Sequence, residues 1–162
     1  MMRFLMILAA LVCGLSMARC IPAALAALLA LTILALKADG ASLRDPLTGL
    51  HNLRALRRHG RKYRRLGVTV MYLDMDGLKR RNDTQGHAAG DEALRQVAAV
   101  LRKLPGDAYR VGGDEFLIIS TAPFSWTPTA DLHLSLGVAQ GHGRELEDLI
   151  RRAEAEMYKN KP

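Results

Sequence analysis

The chain changes character near residue 40, and this change limits what it can fold into. Residues 4–36 carry a single charge, that of Arg19, and are otherwise almost wholly apolar or small. From residue 41 onward, apolar, charged and turn-forming residues are mixed as in a globular domain. About 120 residues can bury one modest hydrophobic core. We therefore predict a membrane segment with a linker over residues 1–40 and one folded domain over residues 41–162.

Two apolar stretches, residues 4–18 and 21–36, are separated by Arg19, Cys20 and Pro22. One helix through both would run ~50 Å, which exceeds the ~30 Å hydrocarbon core of a bilayer. Two short transmembrane helices joined by a turn fit better. The basic residues that follow them put the domain on the cytoplasmic side. A signal peptide cleaved after residues 16–18 is the alternative, and the second apolar stretch disfavours it.

The net charge of +7 is compatible with an anionic ligand or anionic lipid, and it does not require a nucleic-acid partner. Both cysteines, Cys13 and Cys20, lie in the apolar segment, so the domain has neither a disulfide framework nor a zinc-ligand spacing. A predicted helix at residues 53–65 carries a basic face. A solvated surface is its simpler interpretation, and contact with anionic lipid head groups is the other.

Apolar periodicity and turn residues predict an α+β domain in which helices cover a mostly antiparallel sheet. An irregular loop with two prolines is predicted at residues 121–130. The predicted helices lie at residues 53–65, 87–104 and 144–158, with a helical turn at 77–81, and the predicted strands at residues 68–73, 108–111, 115–120 and 132–139.

Two acidic pairs occur at the ends of predicted strands. Asp74 and Asp76 follow the strand at residues 68–73, and Asp114 and Glu115 follow two glycines at a predicted hairpin turn. We expect these glycines to allow positive φ and a close approach of ligand. Carboxylates from two neighbouring strands, together with phosphate oxygens and water, suit Mg²⁺. Taken alone, each acid also fits a turn former or a helix cap.

Two further groups suit a nucleotide. At residues 76–79 a strand is followed by a helix start, which presents free N–H groups to a phosphate, and Lys79 adds a charge. Asn82 and Asp91 flank a glycine-bounded turn. A carboxylate there can accept two hydrogen bonds from the N1–H and N2–H₂ edge of guanine, which adenine cannot supply. A solvent-facing lysine and helix capping are the simpler alternatives.

Seven short motifs stand in the order seen in one known family. They are DPLTGLHN at 45–52, DMDGLK at 74–79, ND at 82–83, GH at 86–87, GD at 90–91, RVGGDEF at 110–116 and SLGVA at 135–139. Over residues 45–161 the chain thus resembles the GGDEF family of diguanylate cyclases. The resemblance implies a palm-like (ferredoxin- or nucleotidyl-cyclase-like) sandwich and an enzyme that condenses two GTP into cyclic di-GMP and two pyrophosphates.

The resemblance also implies roles for individual residues. Metal ligands for Mg²⁺ or Mn²⁺ would be Asp74, Asp114 and Glu115. Catalytic residues would be Asp114, Glu115 and Lys79. The substrate-binding residues would be Asn82, Asp91, Gly77, Leu78, Lys79, Gly112, Gly113 and Lys161.

The chain departs from the family at several places. Lys103 and Gly106 stand where the family has the Arg and Asp of its inhibitory product site, so we expect that site to be absent. Residues 121–130 stand where the family has a helix. The two-GTP reaction implies a homodimer with one GTP in each subunit, and the apolar segment predicts that it is anchored in a bacterial inner (cytoplasmic) membrane with its domain in the cytoplasm. The alternative is a catalytically inactive module that binds GTP or a protein partner and signals without turnover.

Overall fold

The computed structural model describes residues 42–162 and, before them, Leu25, Leu28, Leu29, Leu31 and Thr32. The chain divides between Ser42 and Leu43 into two units, and the second holds every element discussed below. In the described part of the chain, no helix combines the length and the apolar character that crossing a bilayer requires. The predicted spans at residues 4–18 and 21–36 lie outside the described residues except for those five, and the hairpin stays a prediction.

The second unit contains five strands and four helices, in residues 42–162. Short 3₁₀ turns at Ala130–Leu132 and Gly143–Glu145 precede and follow the last strand. In chain order the elements are β1 (His51–Asn52), α1 (Leu53–Tyr63), β2 (Gly67–Met75), α2 (Leu78–Gln85), α3 (His87–Leu101), β3 (Asp107–Arg110), β4 (Glu115–Ser120), β5 (Leu134–His142) and α4 (Leu146–Lys159).

The helices and strands predicted from the sequence are present, with ends shifted by a few residues. The helical turn predicted at residues 77–81 is longer than expected, because α2 has 8 residues. The two-residue strand β1 was not predicted, since so short an element shows no periodicity. Residues 121–129 contain neither helix nor strand, which confirms the predicted loop.

The sheet has the strand order β1-β3-β4-β2-β5. Only β1 pairs in parallel, with β3, so the prediction of a mostly antiparallel sheet is confirmed. The sequence of β2 explains its inner position. All its residues after Gly67 are buried, so both of its faces need cover and both of its edges can take a neighbour.

Helices cover both faces of the sheet and create two cores. On one face, α1 and α4 pack against the sheet through Tyr63, Leu149 and Met157. On the other face, α3 packs through Leu94 and Val97. Each fully buried side chain of this kind stabilises the fold by about 1.5–3 kcal/mol. The result is the predicted α+β sandwich.

Asn52 caps the start of α1. The Asn52 side chain accepts a hydrogen bond from the N–H of Ala55 at 3.0 Å, which satisfies one free donor of the first turn. Ala55, Leu56 and Tyr63 are buried, while most of the remaining helix is exposed. One face of α1 therefore belongs to the core, and the other is free to carry charge.

The outer edge of β5 is protected by side chains of α4. The N–H of Val138 donates to the carboxylate of Glu156 at 3.2 Å, and the carbonyl of Leu136 accepts from the amide of Asn160 at 2.8 Å. An unpaired edge strand invites pairing with another chain, and these contacts occupy the groups that would pair.

Candidate functional site

The two acidic pairs predicted from the sequence meet at one end of the sheet. Strands β2 and β4 are antiparallel, and their register places Asp74 opposite Glu115. The N–H of Met75 donates to the carbonyl of Asp114 at 3.0 Å, which extends this ladder into the turn. The Asp74 side chain is only 7% exposed. Acids separated by about 40 residues of sequence are thus neighbours because two strands pair.

The glycines of the turn serve a purpose that differs from the predicted one. Positive φ is found at Gly49, Gly77, Gly86 and Gly106, and not at the two glycines of the turn. A Cβ at Gly112 would lie 2.1 Å from the Glu115 carboxylate. The expectation of positive φ was therefore wrong here, since the first glycine is required for space and not for backbone conformation. A Cβ at Gly113 would meet nothing within 4 Å.

Arg110 links the acidic turn to Asp45, and this pair of residues is called the brace below. Its Nε and Nη2 donate to the carbonyl of Gly113 at 3.2 and 2.6 Å, and its Nη1 donates to Asp45 at 2.9 Å. Asp45 also accepts hydrogen bonds from the N–H and hydroxyl of Thr48 at 2.8 and 2.6 Å. Burial raises the pKa of Asp45, but the bonds from Thr48 and Arg110 outweigh it, and the net pKa lies below 3.8.

This brace joins the segment at residues 45–48 to the acidic turn. The Arg110 and Asp45 side chains are only 14% and 17% exposed, so the pair is largely shielded from solvent. The sequence analysis included both residues in motifs but gave neither a role. Their separation of 65 residues left no local signal that they would touch.

The loop after β2 has the geometry of an anion site. Gly77 has φ 72° and begins α2, and no side chain caps the free N–H groups of the first turn. Both carboxylate oxygens of Asp76 accept hydrogen bonds from the Ser135 hydroxyl, at 2.8 and 3.0 Å. Asp76 is thus occupied in holding the loop against β5, while Lys79 is exposed beside the free N–H groups.

Asn82 and Asp91 come from neighbouring helices, α2 and α3. The side-chain carbonyl of Asn82 rests on Gly90, where a Cβ would lie 1.9 Å from its oxygen. That oxygen is buried and has no hydrogen-bond partner in the described part of the chain. A buried acceptor without a donor is costly, typically by about 1–3 kcal/mol, and a ligand N–H would relieve that cost.

Lys161 reaches the acidic end of the sheet from beyond α4. Its Nζ lies 3.0 Å from an Asp74 carboxylate oxygen and 5.5 Å from the centre of the Tyr158 ring. The contact with Asp74 is the main cause that raises the pKa of Lys161, and the charge of Asp114 contributes as well. A cation therefore already neutralises the most buried acid of the site.

Tyr72 is a further residue of this region that the sequence analysis did not predict. It precedes Asp74 by two positions, so both side chains point to the same face of β2. Burial raises the pKa of its hydroxyl, and the nearby carboxylates of Glu115 and Glu154 raise it further. A tyrosine at this position remains neutral and can donate a hydrogen bond to an acid.

The acidic end offers few protein ligands for a metal ion. Within residues 42–162, no three His, Cys, Asp or Glu side chains converge closely enough to hold one. The pairing of β2 with β4 places Glu115 opposite Asp74 and brings the turn that carries Asp114 next to them. Other ligands, such as phosphate oxygens and water, would have to complete a coordination shell.

A family model described as "Diguanylate cyclase, GGDEF domain" matches residues 42–127 of the chain. The chain belongs to the GGDEF family. The matched residues include Asp45, Asp74, Asn82, Asp91 and the acidic turn, and they end in the loop that follows β4.

Relatives with this domain have similar sequences and folds. An uncharacterized 19.3 kDa protein of Streptomyces ambofaciens is 36% identical over 145 residues, which cover 71% of this chain and 76% of that protein. The diguanylate cyclase DgcN of Escherichia coli is 41% identical over 86 residues, which cover 48% of this chain and 21% of that protein.

A solved structure of a microbial GGDEF domain, described in terms of its interaction with cyclic di-GMP, is 30% identical to the chain. It has a TM-score of 0.59 and covers 74% of this chain and 92% of that one. The chain spans only 14% to 37% of the length of five curated relatives, DgcN among them, so those proteins contain much that this chain does not match.

Proposed function

We propose that this GGDEF domain is a diguanylate cyclase, which condenses two GTP molecules into cyclic di-GMP and releases two pyrophosphates. The observation that carries the proposal is the pairing of β2 with β4, which puts Asp74 beside the Asp114–Glu115 turn. Diguanylate cyclases among the relatives, such as DgcN, support the same activity.

Asp74, Asp114 and Glu115 offer carboxylate oxygens at one end of the sheet, and these are the ligands that a hard divalent cation prefers. We propose that these residues, together with phosphate oxygens and water, would hold Mg²⁺ or Mn²⁺. When bound, the ion would lower the pKa of the attacking hydroxyl and neutralise charge on the departing pyrophosphate. Glu115 has the space for its carboxylate because Gly112 has no side chain.

The substrate would lie between the acidic end and the two helices. The uncapped N–H groups at Gly77, Leu78 and Lys79 suit the phosphates, and the exposed Lys79 ammonium adds charge. Asn82 and Asp91 suit guanine. The buried Asn82 carbonyl can accept from the N2–H₂ group, and the Asp91 carboxylate can accept from the N1–H edge.

The reaction requires two domains. The 3′-hydroxyl of each GTP would attack the α-phosphate of the other. Each attack forms one O–P bond, breaks the bond between the α-phosphorus and the oxygen that bridges to the β-phosphate, and releases one pyrophosphate, while the hydroxyl proton passes to solvent. One domain offers a single site of this kind, so the second GTP would come on a second copy, and a two-fold dimer follows. Membrane anchoring through residues 4–36, with the domain in the cytoplasm, would raise the local concentration of the copies.

A second candidate function is supported by the Lys161 contact. An ammonium 3.0 Å from Asp74 already neutralises that acid, and residues 121–129 lack a helix. Both observations fit a domain that binds GTP or a protein partner and signals without turnover.

The two candidates are separated by one experiment. The full chain in detergent is incubated with GTP and Mg²⁺, and the products are separated by chromatography. We expect cyclic di-GMP and pyrophosphate, and no corresponding product from ATP. If calorimetry shows GTP binding but no cyclic di-GMP forms, the proposed cyclase activity is overturned and the domain that signals without turnover is supported. Absence of both GTP binding and turnover would contradict the cyclase and a GTP-binding module, and would favour a module that binds a protein partner.

A further inference from the structure

A basic face covers the outer side of α1. It consists of the side chains of Arg54, Arg57, Arg58, Arg61, Lys62, Arg64 and Arg65, all of them exposed. Successive residues of a helix are about 100° apart, so the five of these side chains that belong to α1 fall within about 140° around the axis, and Arg64 and Arg65 follow directly after its last residue. The sequence has no acidic residue between Asp45 and Asp74. The basic face is therefore continuous and not interrupted by a negative charge of its own segment.

Most of the basic face is not neutralised by the domain. Lys62 forms an ion pair with Asp107 at 2.5 Å. No carboxylate in residues 42–162 lies within ion-pair distance of the guanidinium groups of five other members, namely Arg57, Arg58, Arg61, Arg64 and Arg65.

A groove of about 780 Å³ separates part of the basic face from the start of α4. Arg57, Arg61 and Arg64 line one side of this groove. The other side is lined by Glu145 and Asp148, which pair with Arg144 and Arg151 at 3.2 Å each, and by Glu147. Concentrated, unpaired positive charge of this kind attracts a polyanionic partner.

We propose that the basic face docks on the surface of an anionic lipid bilayer. Two exposed leucines favour a bilayer over a nucleic acid. Leu53 and Leu66, which are 39% and 43% exposed, stand at the two ends of the basic face. Apolar residues beside arginines enter the boundary between head groups and acyl chains. The basic face carries no aromatic side chain on which a base could stack.

The sequence before α1 supports the same partner. The apolar stretch at residues 21–36 ends 17 residues before Leu53, which is at most ~60 Å of extended chain. If that stretch is in the bilayer, as proposed above, α1 stays within reach of its surface. This membrane location strengthens the inference, which does not depend on catalytic turnover.

Docking by this face would orient the domain. The basic face points away from the sheet, because the opposite side of α1 is buried in the core that it shares with α4. The sheet would then lie along the bilayer with α3 on the far side. The acidic end, where strands β2 and β4 meet, would open parallel to the membrane, towards a second copy anchored in the same bilayer.

The test uses the full chain with vesicles of neutral phosphatidylcholine and with vesicles that also contain anionic phosphatidylglycerol. Phenylglyoxal modifies exposed arginines, and mass spectrometry gives the rate at each one. We expect modification of the α1 arginines to slow about five-fold or more on anionic vesicles only. The modification rate should recover at high salt, because salt screens the attraction between the arginines and the lipid head groups. Arg95 and Arg152, exposed on α3 and α4, should react equally on both vesicles.

Matched variants complete the test. The triple variant Arg58→Glu, Arg61→Glu and Arg65→Glu should lose the protection of Arg57. Its control reverses charges elsewhere on the surface, in Arg95→Glu, Lys103→Glu and Arg152→Glu, and should keep that protection.

Three results would overturn the proposal. The first is equal labelling of the α1 arginines on both kinds of vesicle, and the second is protection by added RNA but not by anionic lipid. The third is a flotation assay in which the chain rises with neither kind of vesicle. None of these readouts depends on GTP, so their failure is distinct from failure of the cyclase. A chain that floats only with anionic vesicles, with α1 protected, supports docking even if residues 4–36 do not insert.

Discussion

The site has an acidic half, made of Asp74, Asp114 and Glu115, and a half that we propose to bind the base, made of Asn82 and Asp91 and called the base-reading half below. The two halves are held in place by different means. Asp74 and the acidic turn belong to paired strands, and Arg110 ties the turn to Asp45. Asn82 and Asp91 lie on two helices, where position depends on the missing side chain of Gly90. The first half is held by directional hydrogen bonds, and the second is held by close packing around an unpartnered carbonyl.

Because of this difference, we expect substitutions in the two halves to have different effects. Ladder bonds and a shielded ion pair fix the acids before any ligand arrives, which suits groups that must stabilise charge during a reaction. The carbonyl of Asn82 gains its partner only with a ligand. We therefore expect changes in the acidic half to reduce the rate or the stability, and changes in the base-reading half to reduce affinity.

The largest effect is expected for Asp114→Asn. The substitution keeps the shape of the side chain and removes its charge, so cyclic di-GMP formation should fall by about 10²- to 10³-fold or more, as when a preorganised charge-stabilising group is lost. The amount of cyclic di-GMP formed is measured by chromatography of the products. Asp131→Asn, at an exposed acid near the last strand, is the control and should retain activity. Unchanged synthesis by Asp114→Asn would exclude the proposed metal role.

The next effect concerns the stability of the acidic half. Arg110→Ala leaves Asp45 largely buried without its partner, so the free energy of unfolding should fall by about 3–5 kcal/mol, measured by urea denaturation. Arg151→Ala removes an exposed pair with Asp148 and should cost about 0–1 kcal/mol. Similar losses in the two variants would show that the brace is not structural.

The same variant has a predicted pH dependence. The pKa of Asp45 is lowered below 3.8 in the folded domain, so its contribution to stability is present above that value and is lost as the pH falls through the folded pKa. The gap in stability between wild type and Arg110→Ala should therefore narrow below about pH 4. A gap that stays constant down to the pH of acid unfolding would contradict this cause.

A change in the base-reading half should reduce affinity and spare the fold. The Cβ of Gly90→Ala would lie 1.9 Å from the Asn82 oxygen, so that flexible side chain must turn away. We expect GTP binding in calorimetry to weaken about ten-fold or more, the value of one good hydrogen bond, while the extra helix propensity of alanine offsets the strain. Gly67→Ala, which meets no atom within 4 Å, is the control. Equal affinities would disprove the role of Gly90.

The smallest effect is expected for Lys161→Gln. The lysine side chain is 36% exposed, so its ion pair with Asp74 is partly screened and its loss should cost less than about 1 kcal/mol in urea denaturation. Lys159→Gln, at an exposed lysine of α4, is the control and should show no change. A loss of several kcal/mol would mean that Lys161 is part of the brace and not a mobile counter-ion.

Much of the fold could be predicted because it depends on local pattern. The apolar run of β2, the caps and stops of α1, and the hairpin before β4 are all visible in short windows of sequence. Motifs at element ends marked Asp74, Asp114 and Asp91 as candidate site residues, and the family resemblance added Lys161. The two-residue β1 and the full length of α2 were missed, because a short strand and a polar helix show little periodicity.

The sequence by itself determined which residues form strands and helices and that acids stand at two strand ends, since side-chain period and turn chemistry act over a few residues. Only the tertiary structure decided that Asp74 pairs opposite Glu115, that Arg110 reaches Asp45, and that Gly112 leaves room for a carboxylate. Those contacts join residues far apart in the chain, and strand register and core packing select them. No local pattern records such a choice, because it depends on the free energy of the whole domain.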